Sequence, residues 1–212
     1  MITFSKILAL SPHPDDAELG AGGTIARFIE EGKEVYYVAF SSCEKSVPQG
    51  LPSNALRMEC QNSTKLLGIS PNNLILLDYE VRAFPAYRQQ ILENLVEFNE
   101  KIKPDLVLVP SSSDTHQDHQ TIYNEALRAF KKTSSIWGYE HPWNNLTFTT
   151  DIFVKLEERH IARKIEALSQ YKSQDFRAYF EEKYIRALAY TRGTQVDFQF
   201  AETFELVRLL LK

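Results

Sequence analysis

Four short apolar runs punctuate the first 135 residues: Ile7-Leu8-Ala9-Leu10, Val35-Tyr36-Tyr37-Val38-Ala39-Phe40, Leu74-Ile75-Leu76-Leu77 and Leu106-Val107-Leu108-Val109. Each is nearly continuous in apolar character, as strands buried on both faces of a parallel sheet must be. Helical patterns separate them, at about 22–32, 53–67 and 86–103. In the last, Ile91, Leu92, Leu95, Val96 and Phe98 form one stripe, and Pro104 marks its stop. Gly32 and Gly68 stand where C-cap glycines belong. Such alternation builds βαβ units and predicts an α/β chain, a doubly wound, mostly parallel sheet with helices on both faces. After Ser134 the pattern changes: Ile152-Phe153-Val154 reads as a strand, about 157–171 and 175–190 as helical, and Phe204 to Leu211 as strand or helix. Residues 1–212 contain no linker, repeat or low-complexity stretch, so one domain is expected.

Composition narrows the function classes. Residues are 43% hydrophobic and 25% charged, as in soluble globular proteins, and no stretch of about 18 apolar residues occurs. Lys+Arg 24 against Asp+Glu 28 gives a net charge of −4, which argues against nucleic acid or an anionic membrane as partner. Cys43 and Cys60 form no C-x-x-C pair and could make one disulfide at most. The apolar run near the N-terminus is too short for a signal peptide. A cytoplasmic protein with reduced thiols is expected.

Chemistry concentrates after two strands. The first is followed by Ser11-Pro12-His13-Pro14-Asp15-Asp16-Ala17-Glu18, the fourth by Pro110-Ser111-Ser112-Ser113-Asp114-Thr115-His116-Gln117-Asp118-His119. Open α/β sheets bind ligands at the carboxyl ends of their strands. A strand order resembling 3-2-1-4 makes these two loops neighbours, gathering three of the five histidines with Asp15, Asp16, Asp114 and Asp118. Imidazole and carboxylate are the usual ligands of a catalytic zinc, which takes three protein groups and keeps a position open. The remaining groups can then move protons and stabilise charge. A blander reading makes His13 a rigid turn residue and gives Asp15, Asp16 and Asp118 helix-capping duties. Gly20, Gly22 and Gly23 do not form a dinucleotide fingerprint, because the third glycine would fall at Ile25. They suit a close approach of the first helix to the sheet or to a substrate.

These residues carry a resemblance. Pro12-His13-Pro14-Asp15-Asp16 with Glu18, Gly20 and Gly22-Gly23-Thr24, followed by His116-Gln117-Asp118-His119, is similar to the PIG-L/LmbE-like family of zinc-dependent N-deacetylases. Arg57, Glu59, Lys164 through Gln174, Arg192-Gly193 and Ala201 through Glu205 extend the likeness along nearly the whole chain. The resemblance implies a Rossmann-like fold and hydrolysis of the acetamide of an N-acetylglucosaminyl conjugate. It implies zinc, with iron(II) as the alternative, held by His13, Asp16 and His119. Asp15 would be the general base. His116, protonated, would hold the oxyanion or act as acid, with Asp118 orienting it, and Arg57 would contact substrate. It further implies a homo-oligomer, trimeric or hexameric. One departure stands out: some members carry a catalytic tyrosine where this chain has Ser113-Asp114-Thr115. Tyr139, His141 and Trp143 are the candidates to fill that role; His141 is singled out for substrate contact, because a histidine between an acid and a proline suits a core poorly. Two other classes fit the same residues: a metallohydrolase cutting a phosphoester or another amide, and a silent sugar-binding module.

Overall fold

A computed structural model describes residues 4–211. Its seven strands form one sheet. In chain order they are β1 (Lys6–Ser11), β2 (Glu34–Ala39), β3 (Leu74–Leu76), β4 (Leu106–Pro110), β5 (Ser135–Tyr139), β6 (Ile152–Leu156) and β7 (Phe200–Arg208). The spatial order is β3-β2-β1-β4-β5-β7-β6. The first five run parallel, whereas β7 is antiparallel to both of its neighbours. The expected 3-2-1-4 order is therefore present, extended by three strands on the β4 side.

Alternation of side chains along each strand explains why the runs are apolar throughout. Ile7, Ala9, Tyr37, Ala39, Leu106 and Leu108 face one core; Leu8, Leu10, Val38, Phe40, Val107 and Val109 face the other. Helices α1 (Asp16–Glu30), α2 (Ala55–Leu67), α5 (Glu158–Leu168) and α6 (Glu182–Thr194) cover the first face. Helices α3 (Phe84–Ile102) and α4 (Gln117–Phe130) pack side by side over the second. From α3 come Ile91, Leu95 and Phe98, each buried, while Val96 is 36% exposed and lies off the predicted stripe.

Several boundaries differ from those read in the sequence. Helix α1 begins at Asp16 rather than near residue 22 and carries all three glycines in its interior. Packing overrides their low propensity: a Cβ on Gly20 would sit 2.7 Å from Cγ of the buried Tyr139 ring, and one on Gly23 would sit 2.5 Å from Leu156 Cδ1. The close approach is thus to the sheet. Gly68 caps α2 in the left-handed region at φ 97°, and Gly32 follows α1 at φ 75°. The segment near 175–190 divides into 3-10 turns and α6. The segment ending near Leu211 is a strand, β7, paired on both sides. Strand β5, Ser-Ile-Trp-Gly-Tyr, carries a glycine and only five residues, too weak a local signal to be read as a strand.

Candidate active site

Strands β1 and β4 are hydrogen-bonded neighbours, so the loops leaving their carboxyl ends meet. His13 Nδ1 lies 3.0 Å from Asp16 Oδ2, His119 Nε2 lies 3.2 Å from the same oxygen, and the two nitrogens are 3.3 Å apart. Three such atoms around one tetrahedral ion, at bonds of about 2.0–2.1 Å, would be separated by about 3.3–3.4 Å. This donor set therefore fits a small dication without rearrangement. Two further trios of potential ligand atoms lie within 4.8 Å, His13 with His116 and His119, and Asp16 with His119 and His141. Each contains a ring engaged elsewhere: His116 Nδ1 accepts from the Asp118 N–H, and His141 Nε2 lies 2.9 Å from the Asp16 carbonyl oxygen.

The far nitrogen of each ligand imidazole meets a carboxylate. His13 Nε2 lies 3.0 Å from Asp118 Oδ2, and His119 Nδ1 lies 2.7 Å from Asp114 Oδ2. Such pairing sets which nitrogen points at the ion and makes it a better donor. Burial alone would depress both imidazoles, but Asp16 with Asp118 raises His13 to about 10, and Asp16 with Asp114 raises His119 to about 9. Against burial, the His119 and His141 rings hold the Asp114 carboxyl well below the usual range. His116 goes the other way: burial and the neighbouring His119 and His13 lower it to about 4. These neighbours disfavour its protonated form. Since Nδ1 accepts from a backbone N–H, its proton sits on Nε2.

Asp15 occupies the N-cap position of α1 but makes no side-chain capping bond. Its carboxyl is raised to about 6 by burial and by the adjacent Asp16. The capping reading fails for α4 too, where the N-cap is His116. Asp118 instead accepts the N–H groups of Arg82 and Phe84, at 2.6 and 3.1 Å, and its carboxylate orients His13, not His116.

Residues distant in sequence brace these loops. Glu202 accepts from the Gly23 and Thr24 N–H groups and pairs with Lys164, whose Nζ also bonds the Leu19 carbonyl. Glu205 holds the Ser112 N–H at 2.8 Å, and Glu59 holds Ser173. The Tyr37 and Tyr171 hydroxyls meet the Pro14 carbonyl and the Glu18 carboxyl, which burial pushes up to about 8.

Comparison with known proteins shows the family. The profile of the PIG-L family, GlcNAc-PI de-N-acetylase, matches residues 8–130, a span that includes His13, Asp16 and His119. The chain belongs to the PIG-L family. Among relatives, the uncharacterized deacetylase YaiS of Escherichia coli is 29% identical over 174 residues, covering 79% of this chain and 90% of YaiS. The diacetylchitobiose deacetylase of Thermococcus kodakarensis is 26% identical over 225 residues, covering 95% and 83%. The solved N,N'-diacetylchitobiose deacetylase of Pyrococcus horikoshii, complexed with its inhibitor MPG, superimposes with TM-score 0.80 at 22% identity, over 97% of this chain and 84% of that one. This last likeness speaks for the fold.

Within this PIG-L chain, His13, Asp15, Asp16, His116 and His119 line one crevice of about 210 Å³. Arg57 does not line it. Arg57 pairs with Asp78 and lines two neighbouring hollows, one of which shares Cys43 and Val81 with the crevice. His141 is fully buried behind His119, with Nδ1 3.6 Å from Asp114 Oδ2. His141 is thus a core residue despite its flanking acid and proline: Nε2 meets the Asp16 carbonyl oxygen and the ring stacks on Trp143 at 4.7 Å, while Nδ1 lacks a hydrogen-bond partner among the described residues. Tyr139 is also buried and donates to the Leu10 carbonyl, so its hydroxyl is spoken for. Trp143 does reach the crevice, stacked at 4.0 Å on Tyr179. Arg82, Arg177 and Tyr179 line it as well and were not read from the sequence. No motif marks them: Arg82 sits on the connection before α3, and Arg177 and Tyr179 sit at a single 3-10 turn, Ala178–Phe180, before α6.

Proposed function

We propose that the protein is a metal-dependent N-deacetylase that hydrolyses the acetamide of an N-acetylglucosamine-type conjugate, yielding acetate and a free amine. The observation that carries this reading is the convergence of His13 Nδ1, Asp16 Oδ2 and His119 Nε2 at 3.0–3.3 Å, beside a half-buried carboxyl, Asp15, whose side chain makes no capping bond. Zinc, or iron(II), held by those three atoms would supply Lewis acidity at the acetamide carbonyl and acidify a nearby water.

The chain's own groups do the rest. Asp15 accepts a proton from the attacking water and, once protonated, returns it to the departing amine nitrogen. His116 directs its Nε2–H toward the carbonyl oxygen as negative charge develops there, acting as a neutral donor. Asp118 and Asp114 keep His13 and His119 in the ligating orientation. His141 acts through Asp114 and His119 as a positioning residue. Arg57, one hollow away, meets only a distal part of the substrate.

Acetate release from a panel of N-acetylglucosaminyl conjugates, with metal quantified in the same sample, tests the reading. Asp15→Asn should lower kcat about 10²–10⁴-fold with metal content near normal. Full activity in a metal-replete Asp15→Asn sample would rule Asp15 out as the base. Phosphate release without acetate release would move the enzyme to another hydrolase class.

A further inference from the structure

The loop that carries Asp15 is fixed from underneath by hydroxyl groups. Ser11 Oγ donates to the His13 carbonyl at 2.5 Å and accepts the Ala17 N–H at 3.0 Å. The Pro14 carbonyl takes two phenols, the Tyr37 hydroxyl at 3.0 Å and the Tyr171 hydroxyl. Both rings are buried, and both hydroxyls also meet the buried Glu18 carboxyl, to which Ser63 Oγ donates at 3.0 Å. Tyr37 comes from β2, whereas Tyr171 follows α5 and stands 157 positions from Pro14, outside the span that the family profile matches. The segment bearing Tyr171 is itself tied down, since Glu59 of α2 accepts the Ser173 N–H at 2.9 Å and hydroxyl at 2.6 Å. Apolar side chains would fill this space without the desolvation cost of two phenols and a carboxyl. What hydroxyls add is direction, because hydrogen bonds weaken steeply away from their preferred angles.

That direction bears on Asp15. A peptide unit is planar, so fixing the Pro14 carbonyl oxygen also fixes the Asp15 nitrogen and Cα. The proline ring sets φ on the preceding side, and the Asp15 carbonyl accepts the Leu19 N–H at 3.0 Å on the following side. The Asp15 carboxyl, half-buried in the crevice wall, makes no capping bond and takes none from another side chain among the described residues. Its lone pairs stay free for a proton, and its aim is inherited from the backbone. We propose that Tyr171 is a positioning residue for Asp15: with Tyr37 it clamps the Pro14 carbonyl and so sets where the carboxyl stands. This rests on the reading of Asp15 as the base of a deacetylase. Tyr37 is not equivalent, because its hydroxyl also lies 2.8 Å from Ser11 Oγ and so reaches the His13 backbone.

A mutant cycle decides it. In a metal-loaded sample, Tyr171→Phe should lower kcat for acetate release about 10–100-fold, with KM and metal content near wild type. In the Asp15→Asn background the same substitution should change the residual kcat by less than about twofold, because the group it positions is gone. Ile161→Val, which trims the same core at α5, should lower stability in urea without moving kcat beyond about twofold. Tyr37→Phe should lower kcat as well and, through Ser11 and His13, weaken metal affinity, which keeps the clamp testable if Tyr171→Phe does not fold. Wild-type kcat in Tyr171→Phe, or the same fold-loss in both backgrounds, would make Tyr171 an ordinary core residue and overturn the proposal. If wild type releases no acetate, the deacetylase reading fails on its own, and crystal structures of wild type and Tyr171→Phe in one crystal form decide the geometry. The Asp15 carboxyl should move by about 1 Å or take a second orientation in the variant. An unmoved carboxyl would overturn the clamp.

Discussion

At the scale of single residues, each imidazole proposed to hold the metal is braced from behind. His13 has Asp118 and His119 has Asp114, at 3.0 and 2.7 Å. Asp118→Asn keeps the shape and removes the charge behind His13. It should weaken metal affinity about 10–100-fold, measured by competition with a chromophoric chelator; unchanged affinity would mean that the His13–Asp118 contact is incidental. His116→Ala should give the opposite profile, full metal content with kcat lowered about 10²–10³-fold. The ligand trio and its neighbours were legible in the sequence because they fall in two compact motifs. The destination of the Asp118 carboxylate was not: His13 and Asp118 are 105 positions apart, and only the meeting of two strand ends decides which histidine it serves.

At the scale of elements, α1 is the part on which the site depends, since Asp15 and Asp16 open it. Its glycines lower its intrinsic stability, and substitution by alanine in an isolated helix would be favourable by about 1 kcal/mol. Inside this protein the sign reverses. Gly20→Ala should destabilise by about 1–3 kcal/mol in urea unfolding, because the added carbon meets the buried Tyr139 ring. A more stable Gly20→Ala variant would show that α1 is free to shift away from β5. The other end of α1 is tied to α5 by Glu30, whose oxygens meet Arg159 Nε at 2.9 Å and His160 Nε2 at 2.6 Å. Hydrogen bonds from Arg159 and then His160 lower Glu30 from 4.5 to about 2. A carboxyl depressed on folding contributes its stability above pH 4.5 and loses it as pH falls toward 2. The stability gap between wild type and Glu30→Gln should accordingly be largest near neutrality, close by pH 2, and narrow in high salt. A gap that persists at pH 2 would assign the effect to packing instead.

For the molecule as a whole, the proposed metal site, drawn from the β1 and β4 ends, would couple metal binding to folding. Metal in hundredfold excess over Kd should stabilise the native state by about 2.7 kcal/mol and raise Tm by about 5–10 °C, and a chelator should reverse both in a thermal scan. A Tm indifferent to chelator in a metal-loaded sample would remove the basis for the site. No helix among the described residues is long and apolar enough to cross a membrane. The amino-acid sequence by itself determined the strand–helix alternation and the gathering of His13, Asp15, Asp16, His116 and His119 at two strand ends. Those are local signals, carried by side-chain period and by motifs a few residues long. Only the tertiary structure decided that Gly20 serves a tyrosine ring and that His141 is buried behind the site. It also placed Arg82 and Arg177 in the crevice and left Arg57 outside it. Each of these depends on what another segment brings to the same place, and chain neighbours carry no trace of contacts made across 100 or more residues of separation.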